Sequence, residues 1–456
     1  MLRQNLINVA NRLSLFLLTV LPALTGFCQG SNYDPSYRYS VNDLQTDFRF
    51  LKTNLEKTHP NLYSYTPKAE FNLLFDSLYK SITRPMTETE FYNLITLLNS
   101  KIKDGHTMFL PGQAALDYSN QNEKFLPFYV IISGDKLYVN MNCSPDTLIK
   151  EGTELLSING IKAIEIINQL LLRQIRDGDN KTYPIWILTN YFKEYFSFTF
   201  GHPSLFSIDY KMGSTRRQAT IKALSKDSVK YYRQAKYSNR ILLTNEKTGI
   251  ALAINKQLNV ATLSIKSFDT GILSSVYKQN FDSTIKKIFI QLYNTHCGNL
   301  ILDVRNNQGG DFEPGKLLLS YLLRQPVKYL PDSKEAGLIS PRKNRFKGKL
   351  FILINGGSFS STAILCSYLE LTKRGVFIGD ETAGNKVVIS GDPIDMTLPN
   401  TRILCEVSTV KYIIRNSNND GHGITPSYYQ IATIDDVVSN KDPAIELALK
   451  LIAKDK

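Results

Sequence analysis

Residues 351–370 read FILINGGSFSSTAILCSYLE: an apolar run, a Gly-Gly turn, a serine cluster, then apolar residues at helical spacing. A short continuous apolar run bounded by glycines reads as a strand buried on both faces, here handing over to a helix. The handover sets a serine hydroxyl beside the first helical turn. Backbone N–H groups there lack intrahelical acceptors, and the peptide dipoles favour negative charge. A nucleophile at that place would have its oxyanion site half built. The same order also serves as a plain α/β connection, so the junction needs support from elsewhere in the chain.

Working outward, VATLSI, NLILDV, KLFILI and GVFIG are short apolar runs separated by KQNFDSTIKKIFIQLY, EPGKLLLSYLL and STAILCSYLELT. Strand-helix alternation predicts a parallel sheet covered by helices, with right-handed crossovers. Ligands of such sheets sit beyond the carboxyl ends of the strands. Both NNQGG (306–310) and NGGSFSS (355–361) fall there. Gly309 and Gly310 would let backbone N–H groups approach a ligand closely, as an oxyanion hole requires. No Lys-Ser/Thr follows in P-loop register and no GxGxxG opens a helix, which disfavours nucleotide binding.

Upstream, residues 41–102 show helical spacing three times, in DLQTDFRFLKTNLEKTH, AEFNLLFDSLYKSI and TETEFYNLITLLNSKI, with a capping box at Thr87 and Glu90. This reads as a small helical domain ending at KDGHT (103–107). From about Phe125 the period changes. LPFYVIISGDKLYVNMNC alternates and turns at Gly134-Asp135, a hairpin signal. GTELLSING, the helical IKAIEIINQLLLRQI, and strand patterns in FSFTF and LFSIDYKM complete a β-rich, peptide-binding type of module to about Lys226.

At 456 residues the chain exceeds one compact core. Its 43% apolar and 21% charged residues are ordinary for a globular protein. Residues 1–30 read separately: Arg3 and Arg12 precede LSLFLLTVLPALTGF, a run of signal-peptide length that is short for a bilayer span. Cleavage before Gln29 is the expectation, with a lipid anchor through Cys28 as its rival. No later stretch reads as a membrane span. Cys143, Cys297, Cys366 and Cys405 are far apart, without CxxC or histidine at ligand spacing, so isolated buried thiols are expected rather than a zinc site. The net charge of +13 would fall to +11 once Arg3 and Arg12 leave. Lysines are scattered and not interleaved with aromatics, which gives no support to nucleic acid binding.

Four segments taken together carry a resemblance. KDGHT at 103–107, LILDVRNNQGG at 300–310, the serine segment at 351–370 and IGDETAGN at 378–385 resemble, in order and spacing, the signature blocks of the C-terminal-processing (tail-specific) serine peptidase family. GTELLSING resembles the core of that family's PDZ module. The histidine-containing branch that includes the tricorn core protease is the most similar. The resemblance implies a multidomain α+β chain: a signal peptide at 1–28, an N-terminal helical domain at 35–115, a PDZ-like β-rich module at 125–230, and an α/β catalytic domain of crotonase/ClpP-like type at 245–453.

Carried over by position, the resemblance puts the nucleophile on Ser360, with Ser358 a helix-cap candidate, and the oxyanion hole on the N–H of Ser361 and one from Gly309-Gly310. Many members have a lysine base directly after the TxG of the block that here reads ETAGN; this chain has Asn385, and Lys386 comes one residue late. His106 therefore takes the role of base, since an imidazole can accept the serine proton and return it to the leaving amine. The family's acid-x-x-Gly-Val/Ile-x-Pro block reads DGHGITP at 420–426, which nominates Asp420 as orienting acid. His422 and Lys386 are the alternative bases. His59, His202 and His296 read as structural or solvated, and Asp303 and Arg305 as a supporting pair. The implied activity is hydrolysis of polypeptide in unfolded or C-terminal segments, in the periplasm or outside the cell, without metal or cofactor. The alternative is a non-catalytic protein of the same fold, as in interphotoreceptor retinoid-binding protein modules, holding a hydrophobic ligand or a peptide.

Overall fold

A computed structural model describes residues 33–238, 240 and 248–454 of the chain. The expected signal segment lies outside these residues. The architecture is mixed α/β. Its centre is a six-stranded sheet in the order Tyr428–Tyr429, Val376–Gly379, Lys349–Ile354, Asn299–Asp303, Val260–Ile265, Ile250–Asn255. Neighbours pair in parallel except Ile250–Asn255, which closes one edge antiparallel.

The continuous apolar runs follow from cover on both faces. Leu300, Leu302, Leu350, Ile352 and Ile354 share one core with residues of the helices Phe281–Asn294, Phe312–Leu322 and Ser361–Leu371. The alternate residues Ile301, Phe351 and Leu353 pack instead with Ala444, Ala448 and Ile452 of the helix Pro443–Lys454. A strand with period-2 side chains between two helical layers has no polar face to display, so its sequence loses alternation.

The N-terminal helices Val41–Thr58, Lys68–Ser81 and Glu88–Ile95 begin at defined caps. Capping boxes are present at Ser40 with Asp43 and at Thr87 with Glu90. Their core is not self-contained. Leu44, Phe48, Leu51, Phe71 and Phe91 cluster with Leu398, Ile403, Cys405 and Val407 from the far end of the chain. The Asp47 carboxylate, fully buried, accepts bonds from Asn400 N, Thr401 N and Thr401 Oγ1. Strand Met108–Leu110, directly after KDGHT, pairs antiparallel with Leu404–Val407. These contacts hold the histidine-bearing loop against the sheet's serine end.

Between them lies an antiparallel sheet, in the order Phe128–Ser133, Lys136–Asn142, Glu154–Ile158, Leu205–Met212, Thr215–Lys222. It packs on the helices Ala163–Leu172 and Thr182–Phe200 through Ile166, Leu170, Phe192 and Phe196. Here FSFTF departs from expectation: it is the last turn and a half of Thr182–Phe200, not a strand. Phe192, Phe196 and Phe200 recur every four residues on one helix face, with ring centroids 5.7 and 4.9 Å apart, so tertiary burial overrides the strand preference of aromatics. The four later cysteines are buried and unbridged.

Candidate active site

Strand Lys349–Ile354 ends at a turn whose glycines lead to Ser360 and the helix Ser361–Leu371. Ser360 has φ 51° and ψ −126°, a left-handed conformation that a non-glycine residue adopts only when its surroundings enforce it. This strained strand-to-helix elbow projects the Oγ outward. Ser358, the helix-cap candidate, does a different job. Its Oγ donates to Val304 O at 2.9 Å and accepts from Asn355 N at 3.1 Å, tying the turn to the neighbouring strand end. Gly309 lies against the nucleophile: a Cβ there would come within 2.8 Å of both Ser360 Cβ and Ser361 N.

His106 Nε2 is 3.0 Å from Ser360 Oγ. Lys103, left-handed at φ 51°, ends the short helix Asn99–Ile102 and turns the chain toward the serine. The imidazole stacks on Phe359 with ring centroids 4.4 Å apart, and its backbone N–H donates to Asp104 Oδ1 at 2.8 Å. Burial pushes the His106 pKa below the usual imidazole value, opposed by the charges of Asp104 and Asp392. Its Nδ1 is buried and has no partner among the described residues. Gly105 is fixed as glycine by space, since a Cβ would sit 2.7 Å from the Phe359 ring and 2.9 Å from Asp177 Oδ1.

The acid nominated in the sequence is not in this group. Asp420 is half-exposed; its Oδ2 takes a bond from Lys386 Nζ at 2.8 Å and its Oδ1 one from His422 N at 3.1 Å. Both alternative bases are likewise engaged elsewhere, Lys386 with Asp420 and His422, through Nδ1, with Glu381 at 3.2 Å. Asn385, standing where many family members have lysine, is fully buried. Its Oδ1 accepts from Val387 N and Val388 N, and its Nδ2 reaches Asn419 Oδ1 at 2.8 Å.

The carboxylates that do approach His106 are Asp104 and Asp177. One oxygen of each and a ring nitrogen of His106 lie within 4.8 Å of one another. Asp104 Oδ2 is 2.6 Å from His59 Nε2, and His59 Nδ1 accepts from Asn61 N. Since Nδ1 accepts, Nε2 carries the proton and donates to Asp104. Burial raises the Asp104 pKa, but the hydrogen bond from His59 leads the effects that outweigh it and hold the carboxyl well below the usual range. Asp177 goes the other way, pushed up to about 7 by burial and the charge of Asp104. It accepts from Gly105 N at 2.8 Å and Asn385 N at 3.1 Å, bonding the histidine loop to the ETAGN block.

The oxyanion donors divide unequally. Gly309 N–H is already bonded to Asn307 Oδ1 at 2.9 Å, which removes it from the expected set. Ser361 N–H stands in the first turn without an intrahelical acceptor. Gly310 N–H, in a backbone with φ 130°, takes part in no hydrogen bond of the loop among the described residues. Asp303 and Arg305 do pair, and Arg305 also grips Asp442 before the last helix. Sequence reasoning missed Asp104, Asp177 and the ring stack of Phe359 on Tyr183, whose centroids are 4.5 Å apart. The one signal for Asp104 is its place two residues before a histidine, a place that Asp420 shares.

A serine on a strained elbow over a parallel sheet, bonded to an imidazole, is the arrangement of a serine hydrolase. Residues 259–430 match the model of Peptidase family S41. It is 28% identical over 134 residues to the tail-specific protease of Haemophilus influenzae, a match covering 28% of this chain and 18% of that protein. It is 27% identical over 118 residues to the chloroplastic C-terminal processing peptidase of Tetradesmus obliquus, covering 25% of each. The chain thus spans a quarter or less of the length of these relatives. The solved structure of mature CPAF complexed with lactacystin shares the fold: 14% identity, TM-score 0.63, 90% of this chain and 98% of that one.

Proposed function

We propose that the protein is an exported serine endopeptidase that hydrolyses peptide bonds in unfolded or C-terminal segments of polypeptides. The observation that carries this is the 3.0 Å contact between His106 Nε2 and Ser360 Oγ on the strained elbow. In the ground state neutral His106 carries its proton on Nδ1, leaving Nε2 to accept from Ser360. The hydroxyl proton passes to Nε2 as Oγ attacks the scissile carbonyl. The oxygen of the tetrahedral intermediate is held by Ser361 N–H and Gly310 N–H. His106 then gives its proton to the leaving amine, and a water, deprotonated by the same ring, releases the acyl group.

Burial alone would make the imidazolium costly. The charge of Asp104, held ionised by His59, offsets part of that cost. Asp104 is thus the counter-charge of the base, and Asp177 fixes the backbone on which the base is carried. The antiparallel module spanning 125–230 is assigned as PDZ-like, supplying a second hold on substrate chain near a terminus. The test is covalent labelling. A fluorophosphonate is expected to form a single adduct, located on Ser360 by peptide mass spectrometry and absent in Ser360→Ala, with cleavage of a disordered polypeptide lost in parallel. Cleavage that survives in Ser360→Ala would overturn the assignment.

A further inference from the structure

An apolar cleft reaches Gln308 of the loop that carries Gly309 and Gly310. Its walls come from the three segments that build the site. Met108 and Leu110 follow His106 on one strand, Tyr183, Trp186 and Ile187 belong to the start of the helix Thr182–Phe200, and Gln308 directly precedes Gly309. A stack of rings ties it to the base: His106 on Phe359, Phe359 on Tyr183, and Tyr183 on Trp186 with centroids 6.1 Å apart. Trp186 is pinned by a 2.7 Å bond from Nε1 to Asn306 Oδ1 in the oxyanion loop. The wall and the oxyanion donors therefore keep a fixed relation.

The lining is apolar but not uniformly so. Tyr92, Tyr191 and Tyr195 also face it, as does Glu194. The Tyr183 hydroxyl and Glu194 Oε2 have no hydrogen-bond partner among the described residues, although Tyr183 is fully buried and Glu194 is 6% exposed. Unpaired buried polar atoms are costly, and an occupant that pairs them gains that cost back. Glu194 Oε1 already bonds Lys193 Nζ at 3.0 Å, so the site is a neutral pair with a spare acceptor and does not call for a cationic side chain.

We propose that this cleft receives the side chain of the residue supplying the scissile carbonyl. It selects an aromatic ring with a hydrogen-bond donor at its tip, tyrosine above phenylalanine and both above alanine. The placement follows from Gln308. A carbonyl whose oxygen lies at Gly310 and Ser361 has its own side chain starting two bonds from the carbonyl carbon, within reach of the cleft that Gln308 lines. The selection follows from chemistry: rings fill an aromatic-walled cleft, and a phenolic O–H reaches the spare acceptor. The inference rests on the serine peptidase reading.

Internally quenched ten-residue peptides, identical except for Tyr, Phe, Ala or Lys before the scissile bond, test it on the full chain, with fluorophosphonate labelling run alongside. The expected kcat/KM for Tyr exceeds that for Ala by ~10- to 100-fold and that for Phe by several-fold. In Glu194→Gln, which keeps the size of the side chain but removes the carboxylate, the Tyr-to-Phe ratio falls toward one. In Leu110→Trp, which narrows the mouth, the Tyr-to-Ala ratio falls by about 10-fold or more. Equal cleavage of the Tyr and Ala peptides, equal cleavage of Tyr and Phe, or preference for Lys, by a protein that labels on Ser360, overturns the cleft assignment and leaves the peptidase reading standing. Absence of both labelling and cleavage overturns both.

Discussion

The tripeptide Asp-Gly-His occurs twice, at 104–106 and 420–422, and the fold makes different things of the two copies. Locally they agree: in each, the histidine N–H donates to the aspartate Oδ1, at 2.8 and 3.1 Å. That short turn is what an aspartate two residues ahead of a backbone donor forms on its own. Beyond it everything differs. Asp104 is buried against His59, and its histidine stacks on Phe359 and meets Ser360. Asp420 is half-exposed beside Lys386, and its histidine faces Glu381 in partial solvent. A turn motif sets the local geometry, and burial by remote segments decides which copy does chemistry.

Exchanging the acids is the strongest way to break this contrast. Asp104→Asn is expected to lower kcat/KM by ~10- to 100-fold, because the imidazolium loses its counter-charge, and to destabilise the fold by about 3 kcal/mol through the disrupted buried pair. Steady-state kinetics with chemical denaturation reads both. Asn385→Lys comes next. Installing the lysine of the wider family replaces a buried amide that satisfies Val387, Val388 and Asn419, so a loss of about 2–4 kcal/mol is expected, with no gain in activity. A more active Asn385→Lys enzyme would contradict the assigned role of His106. Asp420→Asn, breaking a half-exposed ion pair, should cost under about 1 kcal/mol and change kcat/KM less than about threefold.

The pH dependence sharpens the same contrast. His106 must be neutral to accept the serine proton, and its pKa is depressed by burial. The acid limb of kcat/KM should therefore have its midpoint below the ordinary imidazole value of about 6.5. A midpoint above that value would mean that the charges of Asp104 and Asp392 outweigh burial, contrary to the assignment. The Asp104 contribution to stability runs in the carboxylate direction. Its folded pKa is lowered, so the contribution is present above the unfolded pKa of about 3.9 and is lost as pH falls toward the folded value. Denaturation midpoints of wild type and Asp104→Asn should converge only in acid.

Much of the sheet is legible in the sequence because strands covered on both faces become unbroken apolar runs. Residues 299–303 and 349–354 announce themselves, and so does the elbow after them. The edge strand Ile250–Asn255 does not, since only its paired side and one face are covered. FSFTF misleads because its aromatics carry strand preference while their four-residue spacing fits a helix buried against the antiparallel sheet. In the site, the serine junction and the histidine block stand out as short motifs, but the acid does not. Asp104 and Asp420 share the same tripeptide, and the difference lies with His59 and Lys386, tens of residues away. Asp177 is invisible for the same reason, acting through the backbone N–H groups of Gly105 and Asn385, 72 and 208 residues distant.

The rate of fluorophosphonate acylation of Ser360 in His106→Ala and His422→Ala, measured side by side with wild type, tests the central claim most directly. The account predicts a fall of ~10²- to 10⁴-fold in His106→Ala and a rate within about twofold of wild type in His422→Ala. A large loss in His422→Ala with His106→Ala near wild type would contradict it.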